Sequence, residues 1–508
     1  MDETLSPTVL LLHPDDNVAI ARRQLIDGIR IRSDLVAKGL IPPAHKVALR
    51  NIRAGEAIRR YGQVIGVATR LIYGGEHVHT HNLAMQSFDR DYAIASEVGE
   101  TLLIEPRATF MAYDRGNRGK GTRNYIGILT TVNCSATVAR GIADKFRKDV
   151  FPERLAPYPN VDGVVALTHA LGCATDARGE GIDVLRRTLG GYARHPNFAS
   201  ILIVGLGCET NQIEDLVESE GLEPACTMTI QAAGGTAKAI AQGVAEVERL
   251  LPLANDIRRT EADASHLIVG LQCGGSDGYS GITANPALGR AVDLLVQNGG
   301  TAILSETPEI FGAEHLLTRR AISAEVGRKL LDKVAWWECY CERMGADLNN
   351  NPSAGNKAGG LTTILEKSLG AVAKGGTSNL VEVYGYAQRV RARGLVFMDS
   401  PGYDPVSATG QVAGGANLLC FTTGRGSAYG CAPTPSIKLS TNSSLWLRQN
   451  EDIDLNCGDI LNDAKDMEEV SREIFHLMLS TASGRRTKSE LHGYGQSEFV
   501  PWQLGAIL

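Results

Sequence analysis

The sequence predicts a multidomain α/β protein that begins with a small all-β unit and continues as α/β domains with largely parallel sheets. Two observations support this. Residues 1–84 alternate short apolar runs with Gly-containing turns, whereas from about residue 122 a strand, a Gly/Cys-containing loop and a helix recur in that order. A chain of 508 residues is also too long for one ordinary core. We therefore predict a β domain at 1–100, a middle α/β domain at 101–258 and a C-terminal α/β domain at 259–508.

The all-β unit is predicted from strands at residues 8–12, 45–51 and 63–73. In the third, Ile65, Val67 and Leu71 fall on one face, which is the period-two pattern of a half-buried strand. The turns Arg53-Ala54-Gly55 and Gly74-Gly75 separate such strands.

The α/β part is predicted from helical periodicity after each apolar strand. Strands at 125–131, 163–168, 200–206, 266–271 and 301–305 each lead to a loop and then a helix. The predicted helices include residues 136–148, 236–251, 286–297, 310–318, 324–343 and 467–481.

Composition is typical of a globular protein and argues against several classes of protein. The net charge is −6 and the mean hydropathy −0.09, so we expect no nucleic-acid partner. No apolar run is long enough to span a bilayer, and Asp2 and Glu3 stand where a secretory signal carries positive charge. The ten cysteines are dispersed, which favours a reducing cytoplasm. Gly205-Leu206-Gly207 lacks the third glycine of a dinucleotide fingerprint, and no P-loop is present.

Four cysteines follow predicted strands by a few residues: Cys134, Cys173, Cys208 and Cys273. Ligands of α/β sheets bind at the carboxyl ends of strands, so we expect Cys134, Cys208 and Cys273 to converge as metal ligands. Cys173 sits in a longer loop. The alternative is that these cysteines are small apolar residues at strand–helix junctions.

Three histidines alternate along residues 74–82. On an extended strand His77, His79 and His81 project from one face, where imidazoles suit Fe²⁺, Mn²⁺ or Zn²⁺ or donate to a carboxylate. We predict His79 and His81 as metal ligands and His77 and Asn82 as substrate contacts. The alternative is a set of surface histidines.

The loop at residues 272–286 is dense in glycine and small polar residues. Its backbone N–H groups and the side chains of Ser276, Asp277 and Asn285 are candidates for binding an anionic substrate. Glu306 follows the next strand and is a candidate catalytic base or metal ligand. A structural turn and an exposed helix-capping carboxylate are the alternatives.

Two further loops offer cations. Asn356 and Lys357 lie among glycines at residues 351–360, and Lys367 follows soon after. A partly desolvated lysine serves as a general base or clamps a carboxylate, and Arg425, between two glycines, suits bidentate carboxylate recognition. Solvated surface side chains are the alternative in each case.

Taken together, these segments resemble the altronate/galactarate dehydratase family. The stretches that carry the resemblance are residues 45–49, 78–82, 121–124, 205–209, the loop around Cys273, 351–360, 366–370 and 422–426. The resemblance implies an N-terminal SAF-like (β-clip) domain, a middle domain and a Rossmann-like C-terminal domain. It also implies a divalent metal, typically Fe²⁺ or else Mn²⁺, and loss of water across C2 and C3 of a sugar acid. We further expect a homo-oligomer, a dimer. A labile iron–sulfur cluster on three cysteines is the alternative cofactor.

Within that family, residues 78–82 and 308–314 look more like the altronate than the galactarate branch. Residues 113–118 match the family only loosely, and Ala354 stands where proline is usual. Galactarate is therefore kept as the alternative substrate. Sulfolactate sulfo-lyases resemble the family as two separate chains, which disfavours that reaction here. A non-catalytic sugar-acid or metal-binding protein is the remaining alternative.

Overall fold

The computed structural model describes residues 5–86, 90–222 and 226–504. Its N-terminal domain contains only short strands, in a four-stranded antiparallel sheet ordered β1-β2-β5-β8, a three-stranded sheet β6-β7-β9 and a hairpin β3-β4. The strands are β1 (Val9–Leu10), β2 (Val18–Ala21), β3 (Arg30–Arg32), β4 (Leu35–Val36), β5 (Lys46–Ala48), β6 (Ala57–Arg60), β7 (Gln63–Ala68), β8 (His77–Val78) and β9 (Leu83–Ala84). The predicted all-β unit is confirmed.

The middle domain is built on a four-stranded parallel sheet ordered β13-β12-β14-β15. A second, antiparallel sheet β11-β10-β16 joins residues on both sides of the predicted 258/259 boundary. The strands are β10 (Thr109–Asp114), β11 (Lys120–Gly121), β12 (Tyr125–Thr130), β13 (Gly163–Leu167), β14 (Phe198–Gly205), β15 (Cys226–Thr229) and β16 (Arg259–Asp263). The helices are α1 (Ala136–Ala143), α2 (Pro152–Leu155), α3 (Glu180–Ala193), α4 (Ile213–Glu220) and α5 (Thr236–Asp256).

The C-terminal domain is a seven-stranded, all-parallel sheet ordered β19-β20-β18-β17-β21-β22-β23. Without the edge strand β19 this is the Rossmann order 3-2-1-4-5-6, so the Rossmann-like prediction is confirmed. The strands are β17 (Ile268–Cys273), β18 (Thr301–Ser305), β19 (Leu380–Tyr384), β20 (Gly394–Met398), β21 (Leu418–Thr423), β22 (Ser436–Ser440) and β23 (Leu455–Asn456).

The helices of this domain cover both faces of the sheet, and their bounds test the sequence predictions. They are α6 (Ala284–Gln297), α7 (His315–Thr318), α8 (Ala324–Met344), α9 (Ala354–Ala358), α10 (Ile364–Val372), α11 (Asp404–Ala413), α12 (Ser443–Arg448), α13 (Met467–Ala482) and α14 (Lys488–Leu491). Across the described ranges, no helix is both long and apolar enough to cross a membrane.

The long, strongly periodic helices α8 and α13 are confirmed almost to the residue. The helix predicted at 310–318 is wrong: only α7 forms there, because residues 306–314 turn tightly beneath the end of β18. The loop predicted at 351–360 contains α9, which begins at a capping box formed by Ser353 and Asn356.

A buried ion cluster joins the N-terminal domain to the C-terminal domain. Lys46 Nζ donates to both carboxylate oxygens of Glu366 at 2.8 and 2.9 Å, and the Arg60 guanidinium pairs with the same carboxylate. All three side chains are at most 1% exposed. Burial alone would raise the pKa of Glu366, but Lys46 and Arg60 outweigh it and lower that pKa to about 2.

We expect Glu366→Gln to lower the free energy of unfolding by about 3–5 kcal/mol, because it leaves two buried cations without their anion. A carboxylate with a lowered pKa contributes stability above its unfolded value of 4.5 and loses it as pH falls from 4.5 towards 2. Denaturant titrations between pH 7 and pH 3 therefore show a smaller acid-induced loss in the variant than in the parent. Glu342→Gln, at an exposed position of α8, is the matched control. Equal stability of the two variants at pH 7 would contradict the prediction.

Candidate active site

Ionisable side chains gather at the carboxyl edge of the C-terminal sheet. Cys273 is the last residue of β17, Glu306 follows β18 directly, and Asp404 begins α11 after β20. Parallel neighbouring strands end at the same edge, so these three elements bring their polar residues together. One possible ligand atom each from Cys273, Glu306 and Glu309 lies within 4.8 Å of the others.

Glu306 is the most unusual residue of this edge. It is 1% exposed, and neither carboxylate oxygen has a hydrogen-bond partner. Its backbone lies in the left-handed region at φ 71°, which is strained for a residue with a Cβ. Burial and the nearby charge of Glu309 raise the pKa of Glu306 well above its ordinary value. A strained, buried and unpartnered carboxyl is arranged for an incoming ligand or proton.

Two buried lysines flank the carboxylates. Lys367 Nζ donates to Glu309 at 2.6 Å and to Asn351 Oδ1 at 2.7 Å. Burial would lower the pKa of Lys367, but the charge of Glu309 raises it above its ordinary value. The pairing with Glu309 therefore favours the ammonium form of Lys367, and its role as a general base stays a prediction. Lys367 is placed to donate a proton or to bind an anion.

Lys374 extends the cluster across Cys273. Lys374 Nζ lies 2.9 Å from Cys273 Sγ and 3.9 Å from Glu306 Oε2. Burial raises the pKa of Cys273 to about 11, although Lys374 opposes the shift. Asp404 packs against the backbone beside Cys273, since a Cβ added to Gly274 would lie 2.4 Å from its Oδ2. Burial and Glu309 raise the pKa of Asp404 to about 7.

Three histidines form a second cluster on the N-terminal domain. His45 Nδ1 lies 3.0 Å from His77 Nε2, and one ring nitrogen each of His45, His77 and His79 lies within 4.8 Å of the others. Burial, followed by the neighbouring imidazoles, lowers the pKa of His77 to about 3, and burial, followed by Lys46, lowers the pKa of His79 to about 4. The rings are neutral at pH 7, which is the form that binds metals.

Strand pairing and one asparagine assemble this histidine cluster. Val47 of β5 pairs with His77 of β8, which places His45 beside the turn that follows β8. Asn82 is fully buried, donates to His77 O and accepts from His79 N, both at 2.9 Å. The single extended strand predicted for the histidines is wrong, because β8 ends at Val78 and the chain then turns. His81 is exposed beyond that turn, although its ring lies 5.4 Å from that of His77.

The segment 351–360 connects the two clusters. At one end Asn351 contacts Lys367 and Glu309, and at the other Ala358 O lies 3.3 Å from His45 Nε2. Lys357 lies between them on α9, half-buried. Asn356 does not face a substrate here: its Oδ1 accepts from Ser353, and its Nδ2 donates to Ser276 O.

The predicted anion loop after β17 is largely bonded within the protein. Asp277 accepts from Ser280, Thr441 and Asn442. Asn285 bonds to Gly370 O and to the Thr422 hydroxyl, so both residues hold neighbouring loops in place. Ser276 is buried beside α9. Arg425 is exposed, with its Cβ near Gly275, at the mouth between β17 and β21.

Comparisons with known proteins agree with this architecture domain by domain. Residues 7–86 match the altronate/galactarate dehydratase SAF domain, 112–255 the second domain of D-galactarate dehydratase/altronate hydrolase, and 264–507 the C-terminal domain of D-galactarate/altronate dehydratase. Altronate dehydratase of Bacillus subtilis is 34% identical over 504 residues, which cover 98% of this chain and 99% of the relative. The chain belongs to the altronate/galactarate dehydratase family.

Two further relatives give the same result. Galactarate dehydratase (L-threo-forming) of Escherichia coli is 38% identical over 95% of this chain and 94% of its own length. Altronate dehydratase of Escherichia coli is 34% identical over 95% of this chain and 97% of its own length. The similarity to these dehydratases therefore runs through all three domains.

In this dehydratase the cysteines do not converge as predicted. Cys273 is buried in the C-terminal sheet, whereas Cys134 and Cys208 are exposed beyond strands of the middle sheet. Among the described residues, no close group of possible metal ligands unites Cys273 with the other two. The prediction failed because the strands belong to two separate sheets, which the alternation of elements along the sequence does not reveal.

Sequence reasoning missed His45, Glu309, Lys374 and Asp404 as site residues. His45 stands inside a stretch that carried the family resemblance, and Glu309 inside residues 308–314, which looked more like the altronate branch. Glu309 also lies three residues after Glu306 on the same turn. Only strand pairing shows that His45 meets His77, and only the fold shows that Lys374 reaches Cys273.

We expect Glu306→Gln to raise the free energy of unfolding at pH 7 by about 1–3 kcal/mol, because it removes a buried, unsatisfied carboxylate. A carboxyl group with a raised pKa makes stability decline as pH rises above its unfolded value of 4.5, and this decline should disappear in the variant. Thermal unfolding from pH 4.5 to pH 8 measures both effects. Glu366→Gln, at an equally buried but paired carboxylate, should shift stability in the opposite direction. A Glu306→Gln variant that is as destabilised as Glu366→Gln would overturn this account.

Proposed function

We propose that this protein is a hydro-lyase that converts an aldonate, altronate first, into a 2-keto-3-deoxy acid. Membership of the dehydratase family supports the reaction class. The observation that carries the proposal is Glu306, a buried carboxyl without a hydrogen-bond partner that lies near the charges of Lys374, Lys367 and Asp404. Such a set contains both a base and acids within one water-poor site.

The chemistry needs a base because a proton α to a carboxylate is only weakly acidic. Glu306 is our candidate for the C2 proton, since its raised pKa makes its carboxylate a stronger base than an exposed one. Lys367 and Lys374 hold positive charge beside the negative charge that develops on the substrate. Lys367 or the acid form of Asp404 then protonates the C3 hydroxyl as it leaves.

The histidine cluster fits the divalent metal that the family implies. Three neutral imidazoles converge there, and His79 Nδ1 is buried without a hydrogen-bond partner. We propose that His45, His77 and His79 hold Fe²⁺, or Mn²⁺ as the second choice. The metal supplies a Lewis acid that stabilises negative charge on a bound carboxylate. The Cys273–Glu306–Glu309 group fits a dication less well, because Lys367 and Lys374 already neutralise it.

The candidates for binding the substrate carboxylate are one exposed and one half-buried cationic side chain, Arg425 and Lys357. Arg425 stands at the mouth beside the β17 loop, and Lys357 lies on the segment that connects the two clusters. We propose that these two side chains hold the single carboxylate of an aldonate. The hydroxylated tail then faces neutral hydrogen-bonding groups, with no second fixed cation assigned to its far end.

We also propose that the protein works in the cytoplasm as a homodimer. All ten cysteines are free thiols, as suits a reducing compartment. A panel of aldonates and aldarates assayed for 2-keto acid separates the enzyme from a non-catalytic sugar-acid or metal-binding protein.

We expect exhaustive chelation to abolish turnover and Fe²⁺ to restore it best, followed by Mn²⁺. Asn82→Ala should weaken Fe²⁺ binding by about 10–100-fold, because Asn82 orients two of the ligating histidines. Competition titration with a chelator measures the affinity, and His81→Ala, outside the histidine cluster, is the control. Full turnover by metal-free protein, or an equal loss of affinity in both variants, would refute the metal proposal.

We expect kcat/KM for altronate to exceed that for galactarate by about 100-fold under identical iron loading. Burying an unpaired second carboxylate in a site that fits a neutral terminal hydroxyl costs about 3 kcal/mol or more. Each 1.4 kcal/mol lowers kcat/KM about tenfold. Steady-state kinetics on both substrates provide the measurement. Equal kcat/KM values for the two substrates, or a higher value for galactarate, would overturn the choice of altronate as substrate but not the assignment as a dehydratase.

A further inference from the structure

Three exposed thiols stand at the carboxyl edge of the middle-domain sheet, on other elements than the histidine and glutamate clusters described above. Cys134 follows β12, Cys173 follows β13 and Cys208 follows β14. These are three adjacent strands, because the sheet runs β13-β12-β14-β15 and all its pairs are parallel. The three cysteines therefore leave neighbouring strands at the same edge.

The position within the sheet is the one at which α/β folds bind ligands. From β12 the chain goes first to β13 on one side and then to β14 on the other, so the strand order reverses between β12 and β14. Ligands of open α/β sheets bind outside the carboxyl ends at such a reversal. Cys134 and Cys208 flank it, and Cys173 stands one strand away.

Hydrogen bonds hold the three cysteine loops against one another. Asn133, next to Cys134, donates from its backbone to Leu171 O and from its side chain to His169 O, both at 2.8 Å. Thr210 donates its backbone N–H and its hydroxyl to Cys173 O, both at 3.0 Å. The loop of Cys173 is thus bonded to the loops of both other cysteines.

A buried glutamate fixes the Cys208 loop further. Glu209, 3% exposed, accepts from the backbone N–H groups of Leu206 and Gly207 at 3.0 and 2.7 Å. It also accepts from the Thr131 hydroxyl at 2.6 Å, which links it to the end of β12. The Gln231 side chain donates to Cys208 Sγ at 3.2 Å. The thiols are therefore preorganised on rigid loops, and one of them already has a polar donor of the kind that tunes sulfur ligands.

The chemistry and placement of the three side chains indicate the kind of occupant. All three are free thiols rather than disulfides, and thiolates are the ligands that iron–sulfur clusters prefer. Each thiol stands on its own loop at one edge of one sheet. A polynuclear iron–sulfur cluster suits ligands on three separate loops, because its own atoms separate them.

We propose that Cys134, Cys173 and Cys208 bind a [4Fe–4S] cluster that is distinct from the mononuclear metal of the histidine cluster. Three protein thiolates ligate three of its irons. The fourth iron has no thiolate and is open to an oxygen ligand such as a hydroxyl or carboxylate. This site is independent of the proposed catalytic roles of Glu306 and Lys367.

The test is anaerobic reconstitution of the full-length protein with ferric iron, sulfide and a thiol that reduces part of the iron, followed by desalting. We expect about four acid-labile sulfides and at least about four irons per chain, with the visible absorption of such a cluster and, after reduction by dithionite, its electron paramagnetic resonance signal. Cys134→Ser, Cys173→Ser and Cys208→Ser should each lose most of the sulfide. Cys339→Ser, at an exposed cysteine of α8, and Cys273→Ser, in the buried cluster, should retain it.

Iron analysis keeps this test separate from that of the proposed function. Iron held by the histidine cluster carries no sulfide, survives the triple serine variant and is lost in His79→Ala. Reconstituted protein without acid-labile sulfide, or a folded triple serine variant (checked by circular dichroism) that keeps its sulfide, would overturn the proposal. Iron bound without sulfide at the three cysteines would overturn it equally.

Discussion

The pairing of Glu366 with Lys46 and Arg60 is the interaction on which the site depends. Each end of this ion cluster is one residue away from a functional cluster: Lys46 follows His45, and Glu366 precedes Lys367. Fixing the salt bridge therefore sets the histidines of one domain relative to the lysines and carboxylates of another. A surface ion pair is too weak for this, but a fully buried one that must remain paired defines a single docking geometry.

Two buried glutamates have opposite roles: Glu366 stabilises the fold, and Glu306 is a candidate for catalysis. Glu366 is saturated by two cations, the Thr362 hydroxyl and a backbone N–H, and its pKa falls. Glu306, equally buried, has no hydrogen-bond partner, only Lys374 at 3.9 Å, and its backbone lies in the left-handed region; its pKa rises. Glu366 therefore stabilises the fold, whereas the fold holds Glu306 buried, strained and without a hydrogen bond. Strain and missing partners of this kind gather where a protein binds and reacts.

The sequence predicts features that show as a periodic pattern along the chain, and residues that can be recognised from their position after a single strand. Alternation of strands and helices shows the domain order, and the strong periodicity of α8 and α13 places them almost to the residue. The alternation also singles out Glu306 and the strand-end cysteines as candidate site residues, because a polar residue directly after a strand lies at the edge where ligands bind. Contacts between residues far apart in the chain produce no local sequence pattern, so the sequence does not predict them. His45 meets His77 only through the β5–β8 pairing, and Cys273 parts from Cys134 and Cys208 because two sheets, not one, carry them.

The segment between β9 and β10 is bonded to the C-terminal domain at several points. Its described residues contain no strand or helix, but Ala95 N donates to Thr318 O, Glu97 N to Arg319 O and Ile104 N to Gln297 O. The N-terminal domain also docks directly, where Tyr279 bonds to Ala21 and Ala44, and Thr363 to Ile65. The N-terminal domain is thus anchored twice, once through its own surface and once through the chain that leaves it, so losing one set of contacts leaves the other to hold it.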